Sequence, residues 1–88
     1  MFRVAWKQTA LNELAQAWTQ ADADQRAAIT AAVQAIDRTL QIEPESQGES
    51  RSHDQRVLFE APLGVVYEVA PRLSSVTVVH VWAFRRRS

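Results

Sequence analysis

Leu63-Gly64-Val65-Val66-Tyr67-Glu68-Val69-Ala70 and Val76-Thr77-Val78-Val79-His80-Val81-Trp82 decide the fold, with Pro71 opening the short stretch between them. Both runs are rich in β-branched and aromatic residues at a period of two, the signature of strands. In the first, Val65, Tyr67 and Val69 share one face, and Val66 and Glu68 the other. In the second, Val76, Val78, His80 and Trp82 share one face, and Thr77, Val79 and Val81 the other. The second run is apolar on both faces, which predicts a central position in the sheet. Pro71 to Ser74 turns the chain between them. Immediately upstream, Arg56 to Glu60 reads as a further strand, and Ala61-Pro62 as its turn, since proline cannot donate to a sheet ladder.

Towards the N-terminus the period changes. Leu11, Leu14, Ala15 and Trp18 recur at i, i+3, i+4 and i+7, one stripe of a helix, with Thr9 as the expected N-cap and an end near Gln20. Asp22 opens a second helix, and Gln25 three residues on completes a capping box. Its apolar stripe is Ile29, Ala32, Val33, Ile36 and Leu40, and Pro44 ends it by pushing the preceding residue out of the α region. So short a connection predicts an antiparallel helical hairpin. Ahead of it, Phe2-Arg3-Val4-Ala5-Trp6 reads as a short strand with Phe2, Val4 and Trp6 on one face. Residues 43–52 carry no large apolar side chain and read as a polar loop with Gly48 as a turn residue. The order is β-α-α-β-β-β in one domain, an α+β fold with the hairpin packed on a small antiparallel-type sheet.

Eighty-eight residues, 47% of them hydrophobic, suffice for one core and not two. There is no cysteine, so no disulfide or thiolate metal site is expected, and two separated histidines make no ligand cluster. Neither a cofactor nor a metal is predicted. No apolar run approaches the roughly 20 residues of a membrane span, and the apolar burst Met1 to Trp6 meets Lys7 and Gln8 at once, unlike a signal peptide. The cytosol is the expected address. The formal net charge is zero but unevenly placed: residues 1–50 carry −3 and residues 51–88 carry +3, the latter from six arginines. Guanidinium groups suit carboxylate or phosphate partners.

The ordered set of landmarks resembles the RelE/ParE superfamily of bacterial toxins. It comprises the opening strand ending at Trp6, the helical hairpin, the loop Pro44-Glu45-Ser46-Gln47-Gly48, and the arginine-led strand at Arg56. Leu63 to Val69 and the closing Val79-His80-Val81-Trp82-Ala83-Phe84-Arg85-Arg86 complete it, nearly the whole chain. The resemblance implies a toxin of a type II toxin–antitoxin system, of the kind associated with plasmid stabilization, neutralised by a small antitoxin protein. RelE-type members cleave messenger RNA on the ribosome, whereas ParE-type members poison DNA gyrase without a nuclease site.

Cleaving RNA through its own 2′-OH needs a base, a cation for the phosphorane and an acid for the leaving oxygen. By the resemblance, the arginine of the third strand falls at Gly64. The lysines before the first hairpin fall on Ser50, Arg51, Ser52 and His53, and the terminal tyrosine is missing. Candidates for catalysis are therefore His53, Arg51, Arg56 and Arg85. Arginine holds a phosphate but shuttles protons poorly. Arg56 and the tail Arg85, Arg86 and Arg87 are candidates for binding a partner or nucleic acid. His80 reads as a packed histidine. The expectation is a ParE-like, gyrase-directed action rather than an endoribonuclease. A ribosome-dependent messenger-RNA endonuclease of RelE type and a non-toxic binding or dimerisation module on the same scaffold, including a homodimer, are the alternatives.

Overall fold

The chain enters its sheet at once: β1 (Arg3–Trp6) leads through a single residue, Lys7, into α1 (Gln8–Thr19). The computed structural model describes residues 1–45, 49–50 and 55–84, with only the backbone described at 49 and 50. α2 (Ala23–Ile42) follows, then β2 (Glu49–Ser50), β3 (Gln55–Glu60), β4 (Leu63–Ala70), a 3-10 turn at Pro71–Leu73 and β5 (Ser75–Ala83). The sheet order is β1-β5-β4-β3-β2. It is antiparallel except for β1, which runs parallel to β5. β5 is an interior strand, as its two apolar faces require. β2 adds two residues to the edge, inside the loop expected from the sequence. Gly48 lies outside the described residues.

Asp22 caps α2 as the sequence predicts. Its carboxylate accepts the Gln25 N–H at 2.8 Å, and the Gln25 side chain accepts the Asp22 N–H at 3.0 Å. α1 begins differently. Its N-cap is Lys7 with no side-chain cap, not Thr9. The Lys7 N–H is held by the Val78 carbonyl at 2.9 Å, so the end of β1 fixes where the helix starts and no capping side chain is needed.

The hairpin covers one sheet face. Ile29, Ala32, Ile36 and Leu40 from α2 and Ala10 from α1 meet Leu63, Val65, Tyr67, Val76 and Val78. Each large aliphatic buried here contributes about 1.5–3 kcal/mol. The indole N–H of Trp6 donates to Asp37 Oδ1 at 2.8 Å, tying β1 to α2. The predicted α1 stripe lies further out than the periodicity suggests. Leu11 and Trp18 are 42% and 40% exposed, and Ala10 is the buried residue of α1. A two-helix layer has one seam against the sheet and another between the helices. The stripe Leu11, Leu14, Ala15 and Trp18 lines the second, beside Ile29 and Val33.

β5 also departs from simple alternation. Tyr67 pairs with Val78 but Val66 pairs with His80, so one extra β5 residue is accommodated there. Such a bulge shifts the phase of the strand. After it, Val81 joins the helix-side core, while Val79 and Trp82 sit with Val57 and Val66 on the opposite face. His80 is exposed rather than packed with Val76 and Val78.

Candidate functional site

The face of the sheet turned away from the helices has its own apolar cluster. Val57, Val66 and Val79, from three adjacent strands, are nearly buried, and Trp82 packs over them. Phe59 stands beside this cluster, 58% exposed. Its ring meets Trp82 edge-on at 5.9 Å and 82°, and Phe84 edge-on at 5.9 Å and 77°. Perpendicular rings at this spacing match the positive edge of one to the negative face of another.

Gly64 sits beneath this array, opposite Phe59 on one side and Trp82 on the other. A Cβ built there would stand 2.5 Å from two carbons of the Trp82 indole and 2.9 Å from its nitrogen. The position that the resemblance assigns to a nuclease arginine is thus occupied by a neighbouring aromatic ring. Any side chain at 64 would have to expel it.

Arg56 lies on β3 directly opposite Tyr67 of β4, half-buried. Tyr67 is fully buried, and its hydroxyl donates to the Pro44 carbonyl at 2.8 Å. Burial raises the Tyr67 pKa above its usual value; a hydrogen bond from Arg56 and its positive charge oppose part of that rise. Arg56 thus helps to satisfy a buried phenol where the end of α2 meets the sheet. Beside it, Gln55 donates to Glu68 across the hairpin at 3.0 Å.

His80 Nδ1 lies 3.3 Å from Glu13 Oε1, and the same oxygen accepts the Val81 N–H at 3.1 Å. On the outer side of the hairpin, an apolar groove of about 520 Å³ runs between Leu11, Leu14 and Trp18 of α1 and Ile29 and Val33 of α2. Arg26 packs on Trp18, with its guanidinium 5.5 Å from the ring centre and its Nε donating to the Trp18 carbonyl at 3.0 Å. Among the described residues there is no group of three or more potential metal ligands, and no helix is long and apolar enough to cross a membrane.

Of the residues singled out from sequence, Arg56 is therefore placed at the Tyr67 junction. His53, Arg51, Arg85, Arg86 and Arg87 lie outside the described residues. Two features escaped the sequence reading. Glu13 was silent because nothing in a helical period shows which strand its carboxylate will meet. Trp82 over Gly64 had a faint signal, a glycine inside a strand, which often marks a close approach.

No family model matches the sequence, and no curated protein matches it. Solved structures do match by shape. The chromosomal ParDE toxin–antitoxin system of P. aeruginosa aligns with a TM-score of 0.75 over 97% of this chain and 98% of that one, at 14% identity. The RelBE2 toxin–antitoxin complex of Mycobacterium tuberculosis aligns at 0.73 over 93% and 90%, at 15% identity. The isolated E. coli RelE toxin aligns at 0.65 over 100% and 89%, at 16% identity. The chain thus shares its fold with these solved ParDE, RelBE2 and RelE structures.

Proposed function

We propose that this chain is the toxin of a type II toxin–antitoxin pair, working in the cytosol, and that it acts in the ParE manner, by binding DNA gyrase rather than by cutting RNA. The observation that carries the choice is Gly64 under Trp82. A transferred or cleaved phosphodiester needs a preorganised cation at the developing charge. Around position 64 the described residues offer Phe59, Trp82 and Phe84 instead. An aromatic, apolar face favours association with a protein surface, where such side chains dominate binding energy. Likeness to ParDE and RelBE systems supports the toxin reading and an antitoxin as partner, without separating the two modes.

Arg85, Arg86 and Arg87 remain candidates for contacts to an acidic partner, because guanidinium groups bind carboxylates bidentately. Arg56 is a candidate whose side chain also serves the Tyr67 junction. Its replacement is therefore expected to disturb folding together with any binding.

The experiment is induced expression in a bacterial culture, followed by two assays on purified protein: inhibition of gyrase supercoiling, and cleavage of messenger RNA on ribosomes. Growth arrest with supercoiling inhibited and messenger RNA intact is the expected result. Ribosome-dependent cleavage would replace the ParE reading with the RelE one. Normal growth with soluble, folded protein would move the assignment to a non-toxic binding scaffold.

A further inference from the structure

β1 stops at Trp6, opposite Val78, but β5 continues to Ala83. On its inner side this extension stays paired with β4, through Val66–His80, Val65–Val81, Gly64–Trp82 and Leu63–Ala83. On its outer side, among the described residues, no strand accompanies it. The Val81 N–H points outward, since it donates to Glu13 of α1. The Phe84 N–H points inward, donating to the Pro62 carbonyl at 2.8 Å. Groups of alternate strand residues share a direction, so the Val81 carbonyl and both backbone groups of Ala83 also face outward. No partner for these three is found among the described residues.

This bare edge borders a cavity of about 470 Å³, walled on the far side by Glu13, Gln16, Ala17 and Gln20. Among the described residues, Glu13 is the only ionisable side chain in its lining. One carboxylate oxygen holds the Val81 N–H and the His80 ring; the other has no partner among the described residues. An open edge beside a cavity is a template for an added strand, where backbone hydrogen bonds supply affinity and alternate side chains specificity.

We propose that the outer edge of β5 at Val81–Ala83 is a strand-addition slot. An extended segment of a partner protein pairs with it, takes the Val81 N–H over from Glu13, and sets a lysine or arginine against the carboxylate it releases. The cation follows from the lining. Apart from the His80 ring on its first oxygen, the described lining offers Glu13 only neutral amides such as Gln16 and Gln20, and a carboxylate oxygen closed off from water without a cation is costly. The inference deepens the toxin–antitoxin reading by naming the chemistry of the antitoxin segment, and rests on that reading only for who the partner is.

The test uses the full chain with a Gly/Ser linker of about ten residues after Ser88, ending in the segment Thr-Val-Arg-Val-Thr. Tethering raises the local concentration to roughly the millimolar range. A second fusion carries glutamate in place of the arginine. Amide hydrogen exchange is read residue by residue by NMR. The arginine fusion is expected to slow exchange at Ala83 by about tenfold or more, and the glutamate fusion much less. With Glu13→Ala the two fusions should protect equally. Unchanged Ala83 exchange in both fusions, with the sheet intact in the spectrum, overturns the slot. Equal protection by both segments on the unmutated domain overturns the cation. Neither result depends on growth arrest, so failure of the toxin reading and failure of the slot are seen separately.

Discussion

Adding one methyl group at Gly64 asks whether the open face of the sheet is built around Trp82. In Gly64→Ala the new Cβ would lie 2.5 Å from the indole, well inside any tolerable contact, and the indole is a rigid ring with no flexible end to yield. It must swing off Val66 and Val79 and lose its edge contact with Phe59. Overpacking costs about 1–3 kcal/mol, and a lost aromatic pair about 0.5–1.5 kcal/mol. We expect a loss of about 2–3 kcal/mol, or a fall in Tm of roughly 10–20 °C for a domain of this size. The three nearest atoms to the added Cβ all belong to Trp82. In a Trp82→Ala background the same methyl should therefore be neutral or stabilising, by up to about 1 kcal/mol, because alanine loses less backbone entropy than glycine. Urea unfolding of the wild type, both single variants and the double variant closes the cycle. An equal cost of Gly64→Ala in the two backgrounds would refute the argument, and with it the explanation for why no arginine can stand at 64.

Tyr67 is the only tyrosine, so its ionisation can be followed directly by ultraviolet absorbance. Burial raises its pKa, and the native midpoint should lie above 10; a midpoint at or below 10 contradicts the buried junction. The linkage has a definite sign. The unfolded chain releases this proton first, so the stabilisation is complete below about pH 10 and is lost as pH climbs through the raised folded value. Tyr67→Phe should flatten that alkaline limb and, by leaving the Pro44 carbonyl without its donor, cost about 1–2 kcal/mol at neutral pH in thermal unfolding. Asp37→Ala removes the acceptor of the Trp6 indole N–H and should cost about 1–2 kcal/mol; a loss under about 0.5 kcal/mol in urea unfolding would mean that solvent replaces the bond. Asp22→Ala dismantles the capping box at about 1 kcal/mol, checked by the same assay, with an unchanged midpoint counting against a stabilising cap.

Local signals carried the reading of the elements. Asp22 and Gln25 announce the start of α2, and Pro44 its end, because capping and proline sterics act over a few residues whatever the rest of the chain does. The strands at 55–60, 63–70 and 75–83 follow from period-two patterning and their turns. The candidate site was less legible. Period two cannot reveal a bulge, and the one between Val66 and Tyr67 moved Val81 into the core and left His80 exposed. Helical period shows that Leu11 and Trp18 share a stripe, but not that it faces the second seam of the hairpin and leaves both partly exposed.

By itself, then, the sequence determined the order β-α-α-β-β-β apart from the two-residue edge strand β2, the hairpin and the aliphatic strands, since propensity, capping and burial pattern are properties of neighbouring residues. Only the tertiary structure decided that Trp82 fills the space above Gly64, that Arg56 serves a buried Tyr67, and that Glu13 holds the free edge of β5. Each of those depends on strand register and on where β1 ends, and register is set by contacts between residues far apart in the chain.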